Sequence, residues 1–276
     1  MKYGRFELNG QIFYGRVEGD SVVELDGSPF DSFRVTTKRH TLASLKTLLP
    51  CVPGNFYCAG LNYLAHIEWA SARKGLPVKA PQKCDVGYRS NNALIATGET
   101  IVIPADSPGP VQYEGELVAV IGKKARNLSE ADALSCVLGY TLGNDVTARD
   151  LQQRDGQWTR AKGFDTFCPL GPWIVNDFDP SDKPIMCVVD GDVRQSASTS
   201  DMIHDVETVI EFVSGVMTLL PGDVILTGTP AGVGPCKPGD VLEGTIDRVI
   251  FEGPTAQLRV DIGGVELRAD VTGGRR

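Results

Sequence analysis

The sequence predicts an α+β, β-rich fold: a mixed sheet rolled around one core, with a small β-rich N-terminal domain in front. Three observations carry this. Glycine and proline number 31 and 17 in a chain of 276 residues and are dispersed along it, which supplies turns between many short elements. Strand-like segments outnumber helical ones and do not alternate strictly with them, which argues against a doubly wound parallel sheet. The run Leu117-Val118-Ala119-Val120-Ile121 is apolar without alternation, the pattern of a strand covered on both faces.

The elements follow in order. "KYGRFEL", "IFYGRV" and "SVVEL" read as short strands joined by turns at Asn9-Gly10 and Gly19-Asp20. "TLASLKTLLP", residues 41–50, predicts a short helix ended by Pro50. A boundary near residue 52 then divides the chain into a small domain, 1–52, and a catalytic-sized one, 53–276. "NFYCAG" is a strand, and "LNYLAHIEWASARKG" suits a helix closing at Gly75. Residues 75–92 are rich in Pro, Lys and Gly, and predict an irregular mobile loop that forms a lid over 66–92. Beyond residue 100 strands are expected at 100–103, 113–122, 136–145, 171–175, 185–190, 223–227, 240–250 and 256–262. Helical patterns appear at 129–135 and 205–219, the second with Asp205 as its cap.

Composition removes several classes of function. With 42% hydrophobic and 22% charged residues the chain has the balance of a soluble globular protein. No apolar run approaches the roughly 18–20 residues of a membrane span, and the opening "MKYGRFELNGQIFYG" alternates and is polar, so no membrane association and a cytoplasmic location are expected. A net charge of −8 argues against non-specific binding of nucleic acid. The seven cysteines are scattered without a CxxC pair, which fits buried reduced thiols rather than a zinc site or a disulfide framework.

"VQYEGELVAVIG" holds the chemical question. Glu114 and Glu116 stand two apart on a predicted strand, so both side chains leave the same face. Two like charges placed where little water reaches need a proton, a cationic side chain or a metal ion to neutralise them. Asp145 ends the apolar strand of "GYTLGNDVTARDLQ", and Lys162 stands beside a flexible glycine in "WTRAKGFDTFCPLGPWIV". "DVILTGTPAGVG" runs from a strand into a Gly/Thr loop, 228–232, whose backbone N–H groups can meet an anion; it lacks the Gly-Lys-Thr ending of a phosphate loop. His66 is one of three histidines. Singly each has an ordinary structural explanation: a solvent-facing acidic pair, a cap, a surface lysine, a structural histidine. Together, Glu114, Glu116 and Asp145 suit a hard divalent ion with oxygen ligands, and His66 can serve as a general base.

"YEGELVAVIGK", "GYTLGNDVTARDLQ", "RAKGFDTFCPLGPWIV" and "PGDVILTGTPAGVG" resemble, in order and spacing, the fumarylacetoacetate hydrolase family over roughly residues 54–272. The resemblance implies the mixed β-roll of that family's C-terminal domain, a divalent metal on Glu114, Glu116 and Asp145, and a homodimer. Mg²⁺ or Mn²⁺ is the expected ion, with Ca²⁺ as an occupant in a crystal. It puts Lys162 beside the metal with Thr166 close by, and Arg149, Gln152 and Thr229, together with Gly228 of the same loop, against substrate. His66 matches the catalytic histidine, with Glu243, which lies 14 residues after Thr229, able to orient it. Decarboxylase-like members carry His-x-x-Glu; here the third residue is Trp69, and Glu68 stands one place early. The first expectation is therefore a metal-dependent hydrolase that cleaves a C–C bond in an acylpyruvate or β-diketo acid of aromatic-acid catabolism. His66, held by Glu68 or Glu243, would activate water, and Lys162 would stabilise the enolate. The alternative is a decarboxylase or isomerase of a 2-oxo diacid or 2-hydroxydienedioate, and the remoter one a binding protein without activity. In every reading the partner is a small 2-oxo or diketo acid.

Overall fold

The computed structural model describes residues 1–105, 107, 109–246 and, after these, the backbone of the strands Arg248–Ile250, Arg259–Asp261 and Leu267–Gly273. The chain opens with β1 (Lys2–Leu8), β2 (Gln11–Glu18), β3 (Ser21–Gly27), β4 (Phe33–Thr41) and β5 (Lys46–Leu48). Next come β6 (Phe56–Gly60), α1 (Leu64–Lys74), β7 (Asp85–Tyr88), β8 (Leu94–Ile95), β9 (Thr100–Ile103) and β10 (Val111–Gln112). β11 (Gly115–Ile121), β12 (Val137–Asn144), β13 (Thr147–Ala148), α2 (Arg149–Arg154), α3 (Thr159–Lys162) and β14 (Cys168–Val175) form the middle. β15 (Pro184–Val189), β16 (Asp192–Ser198), α4 (Val206–Val216), β17 (Val224–Leu226), β18 (Val241–Ile246), β19 (Arg248–Ile250), β20 (Arg259–Asp261) and β21 (Leu267–Gly273) complete the described chain.

A long mixed sheet in the order β4-β3-β2-β1-β14-β12-β11-β17-β6-β7 runs through the molecule, and a second sheet has the order β16-β15-β18-β21-β9. The fold is the β-rich mixed one expected. β1 pairs with β14, so the N-terminal strands extend the long sheet without a break. β11 lies at its centre between β12 and β17, and alternate residues enter two different clusters. Val118 and Val120 join Phe56, Cys58 and Leu170, whereas Leu117, Ala119 and Ile121 join Ile185 of β15 and Val206, Val209, Ile210 and Val213 of α4. Both faces of the strand are dry, as its unbroken apolar run requires; each valine, leucine or isoleucine among them contributes about 1.5–3 kcal/mol by leaving water. α4 begins where expected, with Asp205 accepting from the Thr208 N–H at 2.8 Å. All seven cysteines are buried and free. Among the described residues no helix is long and apolar enough to cross a membrane.

The structure corrects several elements. Residues 41–50 form no α-helix: a single 3₁₀ turn, Leu42–Ser44, leads into β5, which pairs with β1. The apolar spacing there serves a strand edge, because Leu42 and Leu45 pack on Phe6, Val17 and Val22. Residues 130–136 are 3₁₀ rather than α-helical. β4 and β16 were not expected, and both are largely exposed strands without apolar alternation. The predicted mobile loop is only partly irregular, since β7 pairs with β6 and Arg89 behind it is buried. α1 is a regular helix closed by Gly75 in the left-handed conformation, so the span 66–92, expected to be a lid, includes most of α1 and all of β7. The strand predicted at 256–262 is described only over Arg259–Asp261.

Candidate metal centre and active site

Strand register assembles the site. β11 and β12 run antiparallel with Gly115 opposite Asn144 and Glu116 opposite Gly143, and one step outward the same register sets Glu114 against Asp145. There the Asp145 N–H donates to the Glu114 carbonyl at 2.8 Å, and the Glu114 N–H donates to Asn144 Oδ1 at 2.9 Å. β17 runs antiparallel on the other side of β11, with Val118 opposite Leu226, which carries Gly228 to Glu116. β6 lies parallel to β17, so the turn after it delivers α1 and His66 to the same sheet edge. Gly115 faces the second sheet, where an added Cβ would lie 3.2 Å from Cys187 Cβ. Alternation therefore turns Glu114 and Glu116 the other way, toward a cavity.

The carboxylates are buried: Glu114 is 4%, Glu116 2% and Asp145 2% exposed. Lys162, at the end of α3 and also buried, donates to Glu114 Oε2 at 3.0 Å, to Asp145 Oδ2 at 2.5 Å and to Thr147 Oγ1 at 2.8 Å. All three ammonium hydrogens are thereby committed. Arg149 bonds the other oxygen of Glu114, and Arg89 the other oxygen of Asp145. Glu116 receives the Gly228 N–H at 2.7 Å, and no cationic side chain among the described residues bonds it. Burial raises the Glu114 carboxyl, but Lys162 and Arg149 outweigh it and hold the group down at about 2. For Glu116 burial and the Glu114 charge act together and push it up to about 8.

That imbalance is what a cation would relieve. One oxygen from each of Glu114, Glu116 and Asp145 lies within 4.8 Å of the others, an all-oxygen donor set that fits a hard divalent metal ion. Gly228 is glycine for two reasons: its φ is +101°, and a Cβ would lie 2.6 Å from Cβ of Asn62. Asn62 in turn is pinned by donating to the carbonyls of Thr227 at 2.7 Å and His204 at 2.8 Å.

The carboxylates open onto a cavity of about 540 Å³ lined also by His66, Trp69, Arg73, Arg149, Lys162 and Thr229. His66 is 8% exposed, its Nδ1 has no hydrogen-bond partner, and its ring stacks on Trp69 at 5.9 Å and 18°. Burial pushes the imidazole below its ordinary value; Glu114 and the Pro230 carbonyl oppose this, and Arg149 and Lys162 add to it. The ring is thus held as the neutral base at neutral pH.

The other expected site residues are distributed as follows. Gln152 lines the cavity and accepts from Arg149 Nη1 at 2.5 Å. Thr229 lines it too, but its hydroxyl already donates to the Gly115 carbonyl at 3.0 Å and accepts from Gln195 Nε2 at 2.8 Å. The Gly228 N–H, expected to meet substrate, is spent on Glu116. Thr166 accepts from the Val102 N–H at 2.8 Å and does not line the cavity. Glu68 is exposed on the far side of α1 and is not brought to His66. Glu243 lies on β18 and lines a separate small void with Gly115 and Asn144, on the opposite face of β11 from the Glu pair. Neither acid expected to orient His66 shares its cavity.

Arg89 escaped sequence reasoning. It follows β7, donates to Asp145, to the Lys162 carbonyl at 2.5 Å and to the Phe167 carbonyl at 3.1 Å, and lies over the Phe56 ring at 5.3 Å. A lone arginine in a Lys-rich stretch carries no local sign of burial.

Comparison with known proteins agrees with this geometry. Residues 55–266 match the family model described as fumarylacetoacetate hydrolase C-terminal, and residues 1–50 one described as Rv2993c-like, N-terminal. The crystal structure of 5-carboxymethyl-2-hydroxymuconate delta-isomerase from Mycobacterium smegmatis superposes with a TM-score of 0.86 at 40% identity, covering 99% of this chain and 100% of that one. Maleylpyruvate hydrolase from Sphingobium sp. SYK-6, solved with manganese(II) and pyruvate, has a TM-score of 0.76 at 27% identity, with 100% of both chains covered. The mitochondrial oxaloacetate tautomerase fahd2 of Xenopus laevis is 37% identical over 243 residues, 84% of this chain and 73% of its own.

Proposed function

Because the chain belongs to the fumarylacetoacetate hydrolase family, we propose that it is a Mg²⁺- or Mn²⁺-dependent isomerase of 2-hydroxydienoic or 2-oxo acids. One observation carries the reading: His66 faces the carboxylate triad across a single cavity as a neutral base, with no carboxylate hydrogen-bonded to its ring among the described residues. Moving a proton between a substrate oxygen and carbon needs only such a base. Hydrolysis needs in addition a water activated by an oriented base, and the two acids expected to hold His66 for that task, Glu68 and Glu243, lie outside the cavity.

A divalent ion on Glu114, Glu116 and Asp145 supplies Lewis acidity toward the carboxylate and 2-oxygen of the substrate. Arg149 retains two of its five N–H groups after bonding Gln112, Gln152 and Glu114, and these meet the substrate carboxylate. Lys162 has no hydrogen left to donate. Its part is to hold Glu114 and Asp145 in place and to compensate their charge, rather than to bond the developing enolate as the sequence led one to expect. His66 carries the proton. In the isomerisation of 2-hydroxyhepta-2,4-dienedioate the 2-hydroxyl loses a proton, carbon 5 gains one, and the two double bonds shift to give 2-oxohept-3-enedioate.

The likeness to a maleylpyruvate hydrolase supports C–C hydrolysis as the second reading. The two separate in one experiment. The protein with Mg²⁺ is offered 2-hydroxyhepta-2,4-dienedioate and an acylpyruvate in D₂O, and products are followed by NMR. Deuterium at carbon 5 without chain cleavage, lost in chelator and in His66→Ala, is the expected result. Faster release of pyruvate from the acylpyruvate would put hydrolysis first.

A further inference from the structure

His66, Trp69 and Arg73 stand at i, i+3 and i+7 on α1, so one helix face presents all three to the cavity. They form a ladder. The imidazole stacks on the indole at 5.9 Å, and the Arg73 guanidinium lies over the indole at 3.7 Å from its centroid. These two spacings bound the guanidinium to within roughly 10 Å of the base. Arg73 differs from the other cations of the cavity. Lys162 and Arg149 are engaged by the triad and its neighbours, whereas Arg73 has no hydrogen-bond or ion-pair acceptor among the described residues. Its guanidinium carbon lies over the indole and its N–H groups are engaged by no described residue, and such a fork of donors can receive a carboxylate with two parallel bonds.

We propose that Arg73, clamped on Trp69, is the subsite for a second carboxylate at the far end of the substrate, which makes the ligand class 2-oxo or 2-hydroxydienoic diacids. This rests on the isomerase reading for where the near end lies. A base meets the reacting carbon at about 3–3.5 Å, and a guanidinium–carboxylate bond spans about 2.8 Å. With both contacts directed inward along the ladder, roughly 4 Å of the 10 Å remains, the span of about three bonds between reacting carbon and distal carboxylate. In 2-hydroxyhepta-2,4-dienedioate the carbon that takes up the proton is two bonds from that carboxylate carbon. Trp69 stands where the acid of a His-x-x-Glu pair would, so the position that could have oriented the base here positions the arginine instead.

The test compares two non-isomerising probes that differ only at the far end, 2-oxoheptanedioate and 2-oxoheptanoate, titrated calorimetrically into the Mg²⁺-loaded protein. Wild type should bind the dioate about 10- to 100-fold more tightly, the range of a charge-assisted pair at a partly open site. Arg73→Met should bring the ratio of the two affinities close to one, and Arg73→Lys should keep only part of it. Trp69→Leu, which removes the clamp and leaves the arginine, should reduce the ratio to an intermediate value. No preference in wild type, or a wild-type ratio in Arg73→Met, overturns the subsite. A dioate preference that falls in Arg73→Met without any isomerase turnover upholds the subsite and refutes the reaction; isomerase turnover with no effect of Arg73→Met on the ratio does the reverse.

Discussion

Lys162→Met removes a buried ammonium and keeps most of the side-chain volume. The Nζ lies 3.0 Å from Glu114 Oε2 and 2.5 Å from Asp145 Oδ2, in a residue 3% exposed. Removing one partner of a buried ion pair costs about 3–5 kcal/mol, because the charges left behind stay out of water. At ~2–4 °C per kcal/mol for a domain of this size, the variant in chelator should melt on the order of 10 °C below wild type. Metal affinity should move the other way. A divalent ion and an ammonium about 5 Å apart repel each other by roughly 7 kcal/mol at an effective dielectric near 20. Losing the competing ammonium should therefore tighten Mg²⁺ binding by more than about a hundredfold. Melting curves in EDTA and in excess Mg²⁺, beside calorimetric titration with Mg²⁺, read both effects. The variant should recover most of its lost melting temperature once metal is added, because ion and ammonium relieve the same repulsion. Unchanged melting in chelator, or weaker Mg²⁺ binding, would refute the role of Lys162 as counter-charge to the triad.

His66→Asn should lower turnover about 10²–10⁴-fold, the usual worth of a general base. The pH profile tests the same group. Burial depresses the imidazole below its ordinary 6.5, with Arg149 and Lys162 reinforcing and Glu114 and the Pro230 carbonyl opposing, so the neutral form persists as pH falls through 6.5. The acid limb of kcat/KM should then lie below 6.5 and vanish in His66→Asn; a limb above that value would mean that a negative charge, not burial, governs the ring. Gly228→Ala forces an alanine to φ +101° with its Cβ 2.6 Å from Cβ of Asn62, and should cost about 2–4 kcal/mol. The same shift disturbs the N–H that holds Glu116, so melting temperature and Mg²⁺ affinity should drop together; wild-type values of both would remove the loop from the construction of the site.

How much of this was legible in the chain depends on the range of the interaction. β11 declared itself by an unbroken apolar run, because a strand buried on both faces has no reason to alternate. α1 and α4 declared their ends through Gly75 and Asp205, whose capping roles involve only near neighbours. The ligand set was legible for a similar reason: two acids one pleat apart in an apolar strand, and a third at the end of another, admit few explanations. The 41–50 segment misled because its leucines pack on a three-stranded edge, and apolar spacing alone does not tell a helix from such an edge. Other features had no local signal. Nothing local to Glu68 or Glu243 shows that the turn of α1 and the register of the second sheet place both away from His66.

By itself, then, the chain determined which residues are acidic, apolar, small or cap-forming, and hence the strands, the helix ends and the candidate ligands. Tertiary structure alone decided their company. Arg89 meets Asp145 across 56 residues of sequence, Gly228 meets Glu116 across 112, and Arg73 finds its place over Trp69 at the mouth of a cavity built by distant strands. Propensity and periodicity act over a turn or a pleat, whereas charge compensation and cavity shape are set by strand register, which pairs residues regardless of their separation along the chain.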